Sequence, residues 1–375
     1  MIIYFLSFII AIILLYFSER TNKKIINRIL VLAAILIPSF VAGARDFGVG
    51  RDTIAYAQAA YNWAQIYDFK EYIIRFSDSA LLYTVWYLII HATKSSFWLM
   101  FLTELFIESF VYLGLTCNKK KKSNVWIGML LYYTLFYTYS LSLVRQSVAV
   151  SILFWAYNKY LIHKDYKKYF ILCLIAFTIH PTSIISVVLI FTHKLFDSEN
   201  YSKQSFYKRA FIYFMTVVGV FGIIAISGKL INYLITINAN YLYYQENASN
   251  FKDTFVSWAI FAAITMLIYI VSFVMKSNRD KRFYNYTIFL GLVVFWTNLV
   301  ANNSYRISLY FLIQLLVLIS DSICMRKNCT VQVRNSLILS SLLFFACFAV
   351  WYVMVVRMHL NDIYPYKSIM LGIVR

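Results

Sequence analysis

The chain has 375 residues, of which 61% are hydrophobic and only 14% charged, a balance that excludes a water-facing globular surface and makes lipid the main solvent. The formal charge of +19 does not indicate nucleic acid, because the Lys and Arg residues sit in short clusters between apolar runs, where the positive-inside rule places them.

A hydrocarbon core of about 30 Å needs roughly 20 apolar residues per helix, with every backbone polar group paired inside it. Apolar runs meet that demand at 2–17, 29–44, 79–93, 96–116, 125–142, 146–162, 169–195, 210–231, 255–275, 285–301, 306–323 and 336–356. They predict an all-α polytopic membrane protein, a bundle of about a dozen transmembrane helices. No connection is long enough for a separate soluble domain, so residues 1–375 read as a single transmembrane domain. The first run has no basic segment before it and no small-residue cleavage site, and reads as an uncleaved helix.

Six basic clusters are expected on the cytoplasmic face: Arg20 to Arg28, Lys119 to Lys122, Lys164 to Lys168, Lys194 to Arg209, Lys276 to Arg282 and Arg326 to Arg334. Between two cytoplasmic loops the chain must cross an even number of times, and two intervals need correction. Between Lys168 and Lys194 the apolar run carries His180-Pro181, where proline removes a helical hydrogen bond, so a helix broken into two halves is expected there. Between Arg28 and Lys119 three runs appear, and 79–93 is assigned to an in-plane or re-entrant helix. The outer face then receives the N-terminus, the loop 45–78, Arg145, His180, the loop 232–254, Arg306 and the tail from Arg357.

Cys117, Cys173, Cys324, Cys329 and Cys347 show no metal-ligand spacing and read as reduced thiols, so no metal is expected. A Walker phosphate loop, a serine nucleophile elbow and a His-Glu zinc helix are all missing from the sequence, and no cofactor is expected.

Five outer-face features carry chemistry. The segment Arg45-Asp46-Phe47-Gly48-Val49-Gly50-Arg51-Asp52-Thr53, followed by Tyr56, joins forked arginine donors suited to phosphate oxygens with carboxylates and tight backbone turns. A solvated loop with local ion pairs is the plainer reading. Arg145-Gln146 lies between two apolar runs, where an arginine can bind a ligand or simply snorkel. His180 is suited to proton transfer near neutrality, or to capping and packing. Asn302-Asn303-Ser304-Tyr305-Arg306 repeats the arginine at a tight outer turn. The loop NYLYYQENASNF, with Glu246, offers rings that stack on sugars or populate an interface belt.

The runs GARDFGVGRDTIAY, LVRQSVAVSILFWAYNKYLIHKDYKKYFILCLIAFTIHPTSII, NSYRISLYF and the terminal YPYK together resemble the EpsG-like branch of the Wzy polysaccharide polymerases, over nearly the whole chain and in order. Arg45, Asp52, Tyr56, Arg145, Gln146, His180 and Arg306 match the pattern. The resemblance implies a glycosyltransferase of the bacterial cytoplasmic membrane, of a bundle type similar to the GT-C class. It would move a growing glycan from undecaprenyl diphosphate onto a hydroxyl of the next lipid-linked oligosaccharide repeat unit at the outer face, without a metal.

In that expectation His180 or Asp52 is the base, while Arg45, Arg51, Arg145, Arg306, Gln146, Tyr56 and Glu246 bind diphosphate and sugar, and displacement inverts the anomeric carbon. The partners implied are the lipid-linked repeat units and membrane lipid, with a chain-length regulator and a flippase as further candidates. A lipid-linked oligosaccharide flippase is the main alternative, and a membrane acyltransferase acting on glycan the next. Against the flippase stands the expectation that charge collects at one face rather than mid-membrane.

Overall fold

The computed structural model describes residues 1–117, 124–190, 206–237, 251–274, 282–299, 304–322 and 330–373. Among these every element is helical, apart from one backbone bridge between Ser368 and Ile373. They form two compact units, one of residues 1–184 with 319–375 and one of residues 185–318.

The first unit begins with α1 (Ile2–Ser18) and α2 (Lys24–Ala44), packed together. A short segment follows: a π-helical turn at Ile54–Gln58, α3 (Ala59–Ala64), α4 (Phe69–Arg75), a 3₁₀ turn at Ser77–Ser79 and α5 (Ala80–Thr93). The Asp68 side chain accepts the Glu71 N–H at 2.8 Å and so caps α4, satisfying one of the donors a helix start leaves open. α4 and the stretch from Ser77 to Thr93 meet at 86°, the geometry of a broken span or a re-entrant loop.

α6 (Ser96–Thr116) packs against α2 and against α9 (Val144–His163), which in turn packs on α10 (Tyr166–Ile179). Between them, α7 (Val125–Leu131) and α8 (Tyr137–Ser142) are joined by a π-helical turn at Tyr132–Phe136. Gly43 permits the α2–α6 approach, since a Cβ there would stand 2.6 Å from Phe101 Cβ. Pro38 stands inside α2 and lacks the N–H that would bond Ala34 O. The Tyr133 hydroxyl lies 3.5 Å from that freed carbonyl, and Tyr137 donates to Pro38 O at 2.7 Å.

The second unit contains α11 (Phe206–Ile237), α12 (Phe251–Val274), α13 (Arg282–Val294) with its 3₁₀ continuation Phe295–Leu299, the 3₁₀ turn Ser304–Ser308 and α14 (Leu309–Leu312). α13 packs on α14 and on both 3₁₀ turns. α15 (Leu315–Ser322) straddles the boundary between the units. The first unit then closes with α16 (Thr330–Tyr352), which lies on the Tyr132–Phe136 turn and on α7.

Five of these stretches are long and apolar enough to cross a membrane: Lys24–Ala44, Ser96–Thr116, Thr254–Val271, Ser304–Asp321 and Ser340–Arg357, with the bent pair 69–93 as a sixth if it is one span. The predicted break at His180 is present. α10 ends at Ile179, His180 is extended (φ −152°, ψ 117°) and a 3₁₀ stretch runs from Pro181 to Val187. The cause is local, because the ring of Pro181 disfavours a helical conformation at the residue before it. The predicted basic cluster Lys119 to Lys122, most of Lys194 to Arg209 and of Lys276 to Arg282, and the start of Arg326 to Arg334 lie outside the described residues, as do Cys324 and Cys329.

Candidate functional site

The loop after α2 is held from two sides. At Gly50 the backbone takes φ +105°, and an added Cβ would stand 2.5 Å from Leu141 O, so this position needs glycine for both conformation and space. One turn on, Thr53 Oγ1 donates to Leu141 O at 3.0 Å. Those two contacts press the loop onto the end of α8, beside the break at Leu143 (φ −91°, ψ 52°) from which α9 starts.

The C-terminal tail holds the other side. Asp46 N–H donates to Lys367 O at 3.0 Å, Gly50 N–H to Asp362 O at 2.9 Å and Arg51 N–H to Asn361 O at 2.9 Å. Ile369 N–H donates to Asp46 Oδ1 at 3.0 Å, and Ser368 Oγ donates to Ala44 O. Tyr366 donates to Val41 O at 2.9 Å, and its burial pushes the phenol up to about 12. The YPYK segment therefore acts as a strap across the arginine-rich loop.

Arg145 lies in the first turn of α9. Its Nη1 donates to Asp78 Oδ2 at 2.9 Å and to Ser79 Oγ at 3.2 Å. Its guanidinium carbon lies 3.7 Å over the Tyr56 ring and 5.9 Å from that of Tyr83. The side chain is 12% exposed, against 59% for Asp78. A snorkelling arginine reaches into water, whereas this one is clamped between a carboxylate and an aromatic face.

The other predicted residues fall as follows. Arg51 is exposed and 3.6 Å from the Asp362 carboxylate, also exposed, a pairing of little energetic weight. Asp52 is half-buried, and its carbonyl accepts the Tyr56 N–H at 3.1 Å. Gln146 is buried in α9. His180 is half-buried at the end of α10, with Nδ1 2.8 Å from Thr182 Oγ1. α10 packs against the Ser77–Ser79 turn that Arg145 holds. Arg306 belongs to the second unit, in the 3₁₀ turn Ser304–Ser308. Glu246 lies outside the described residues.

Arg45 occupies a different setting from a solvated loop arginine. It is 6% exposed, and its Nε and Nη1 are buried without a hydrogen-bond partner. Its charge acts on Glu104, Tyr4, Tyr137 and Tyr366. Glu104 and Glu108 are residues that the sequence reading passed over, and they correct its expectation that charge collects at one face alone. Both are buried in the middle of α6. Glu104 Oε1 accepts Tyr132 OH at 3.0 Å and Ser140 Oγ at 2.8 Å, and Glu108 Oε2 accepts Tyr133 OH at 3.0 Å. The signal was available: two carboxyls four residues apart within a 21-residue apolar run share a helix face, and an ionisable residue inside a span marks a functional position by default.

Several long apolar helices, with polar residues gathered where they end, define a multi-pass membrane protein. The sequence model of the EpsG family matches residues 28–368, and the chain belongs to that family. Neither the curated proteins nor the solved structures offer a match. Among the described residues no group of His, Cys, Asp and Glu has the arrangement of a metal site.

Proposed function

We propose that this chain is a polysaccharide polymerase of the bacterial cytoplasmic membrane, built as a bundle of about a dozen crossings of the GT-C kind, with its active site on the extracytoplasmic face. Its donor is a growing glycan on undecaprenyl diphosphate, and its acceptor is a hydroxyl of the next lipid-linked repeat unit. Membership of the EpsG family supports the reaction class, and the clamp on Arg145 is the observation that carries the site.

In this reading the acceptor oxygen bonds to the anomeric carbon as the bond from that carbon to the diphosphate oxygen breaks, with inversion. The hydroxyl proton passes to His180, or to Asp52, and the diphosphate leaves carrying the electron pair. Arg145 and Arg51 stabilise the charge that develops on it, with Arg45 as a buried charge beneath the loop. An arginine preoriented by Asp78 and Tyr56 loses less freedom on binding phosphate oxygens than a mobile one. Tyr56 and Gln146 contact sugar. The energy comes from the donor, so no nucleotide sugar or divalent cation is required.

The experiment is a gel profile of surface glycan from a deletion strain complemented with wild type, Arg145→Ala or His180→Ala. Polymerase activity appears as single repeat units in the deletion strain, a ladder with wild type, and single units again with either variant. One observation favours the flippase as a second reading: the two carboxyls midway along α6, where carriers place charge. Loss of even the single-unit species, with repeat units accumulating inside, selects it.

A further inference from the structure

The Glu104–Glu108 pair is not used by the reaction above, and its surroundings are unusual. Both side chains are buried, at 3% and 0% exposure, inside a stretch long and apolar enough to cross a membrane. The groups facing them are Tyr132, Tyr133, Tyr137 and Ser140 from α7–α8, Ser39 from α2 and Arg45 at its end. Arg45 is the only cation acting on this group among the described residues, and its Nε and Nη1 are buried and unpartnered. Two carboxylates against one guanidinium would leave an uncompensated buried charge, which a low-dielectric interior penalises heavily.

Geometry distinguishes the two acids. Glu104 Oε1 accepts Tyr132 OH at 3.0 Å and lies 2.8 Å from Ser140 Oγ, whose single hydrogen it shares with Tyr137 O at 2.9 Å, and it lies within the field of Arg45, which favours its charged form. Glu108 has Tyr133 on one oxygen, while its other oxygen stands 3.5 Å from Ser39 Oγ. Ser39 has a single hydroxyl hydrogen, and Ile35 O accepts it at 2.8 Å. A proton on Glu108 Oε1 makes that contact a donation from the acid to the serine oxygen, while Oε2 accepts from Tyr133.

We propose that Glu108 and Glu104 form an intramembrane proton site in which Glu108 holds the proton and Glu104 carries the charge that balances Arg45. The ligand is the proton itself. The site runs along α2 from Ser39 to Arg45, roughly 9 Å at 1.5 Å per residue, and so joins the interior of the span to the base of the arginine-rich loop. It rests on no assumption about the reaction catalysed.

The test is infrared spectroscopy of the purified full chain in lipid, reading the carbonyl band of protonated carboxylic acids in wild type, Glu108→Gln and Glu104→Gln. Glu19, pushed up to about 7 by burial, would contribute near neutrality, so spectra are taken roughly two units higher, where it is ionised. The expected result is a protonated-acid band in wild type that is lost in Glu108→Gln, and weakened or lost in Glu104→Gln as Glu108 takes over the charge that balances Arg45, with the amide band reporting helix content in the same spectra. A wild-type spectrum without the band overturns the proposal whatever the variants do. A band that survives Glu108→Gln places the proton elsewhere and overturns it equally.

Discussion

Arg145 and Asp78 meet at 2.9 Å across 67 residues of sequence, and that contact ties the start of α9 to the bend between α4 and α5. The face of Tyr56 covers the guanidinium from the other side. A lysine keeps the charge but neither the fork nor the flat face that stacks on a ring. Arg145→Lys is therefore expected to lose about 0.5–2 kcal/mol of cation–π attraction together with the Nη1 contacts to Asp78 and Ser79. The check is the surface glycan profile, with Arg145→Lys giving shortened or single-unit material at wild-type protein level.

Gly50 gives a prediction about the loop alone. Alanine there must adopt φ +105° with its Cβ against Leu141 O, while at Gly48 nothing lies within 4 Å of an added Cβ. Gly50→Ala is expected to cost at least about 1–3 kcal/mol, and Gly48→Ala well under 1. Thermal unfolding of the purified variants in detergent measures both. Equal effects would mean that the loop is not pressed against α8.

The tail strap makes a separate prediction. Truncation after Arg357 removes the acceptors for the Asp46, Gly50 and Arg51 amides and the donors from Tyr366 and Ser368, while every helix from α1 to α16 stays intact. Limited proteolysis should then cut at 45–53 in the truncated chain and leave the full chain uncut there. Glycan polymerisation should fall to background.

Glu19 gives a pH dependence. Its carboxylate sits after α1 and accepts the Trp126 N–H at 3.0 Å, yet burial outweighs that bond and raises it from 4.5 to about 7. A carboxyl with a raised folded value binds more protons folded than unfolded between those two values, so stability is greatest below the lower one and falls as pH rises through the upper. The expected loss across that window is on the order of 1–3 kcal/mol. Glu19→Gln should flatten the unfolding temperature over the same range, and a profile unchanged by the substitution would assign the slope to another group.

The helices could be read directly, because a lipid-facing segment needs an apolar run of fixed length, and the runs at 2–17, 96–116 and 125–142 reappear as helices within a residue or two. The break at His180 could be read for a similarly local reason, the proline that follows it. The partners of Arg145 could not, since Asp78 reaches it only after the chain bends by 86° between α4 and α5, and nothing in the sequence specifies that angle. The tail strap was hidden likewise, being backbone hydrogen bonds that any residue can make. The roles of Tyr132, Tyr133 and Tyr137 were not legible, since only packing points their hydroxyls at buried carboxyls and a carbonyl. Glu104 and Glu108 were visible as spacing, but only packing reveals that their face turns inward.

The most direct measurement is reconstitution of the purified chain in liposomes with undecaprenyl-diphosphate-linked repeat units as the only glycan, without nucleotide sugar and with chelator present. The account predicts a ladder of lengthening lipid-linked glycans with one undecaprenyl diphosphate released per bond formed, and neither product with Arg145→Ala. Transfer of unpolymerised repeat units across the bilayer, with no released diphosphate, would contradict it.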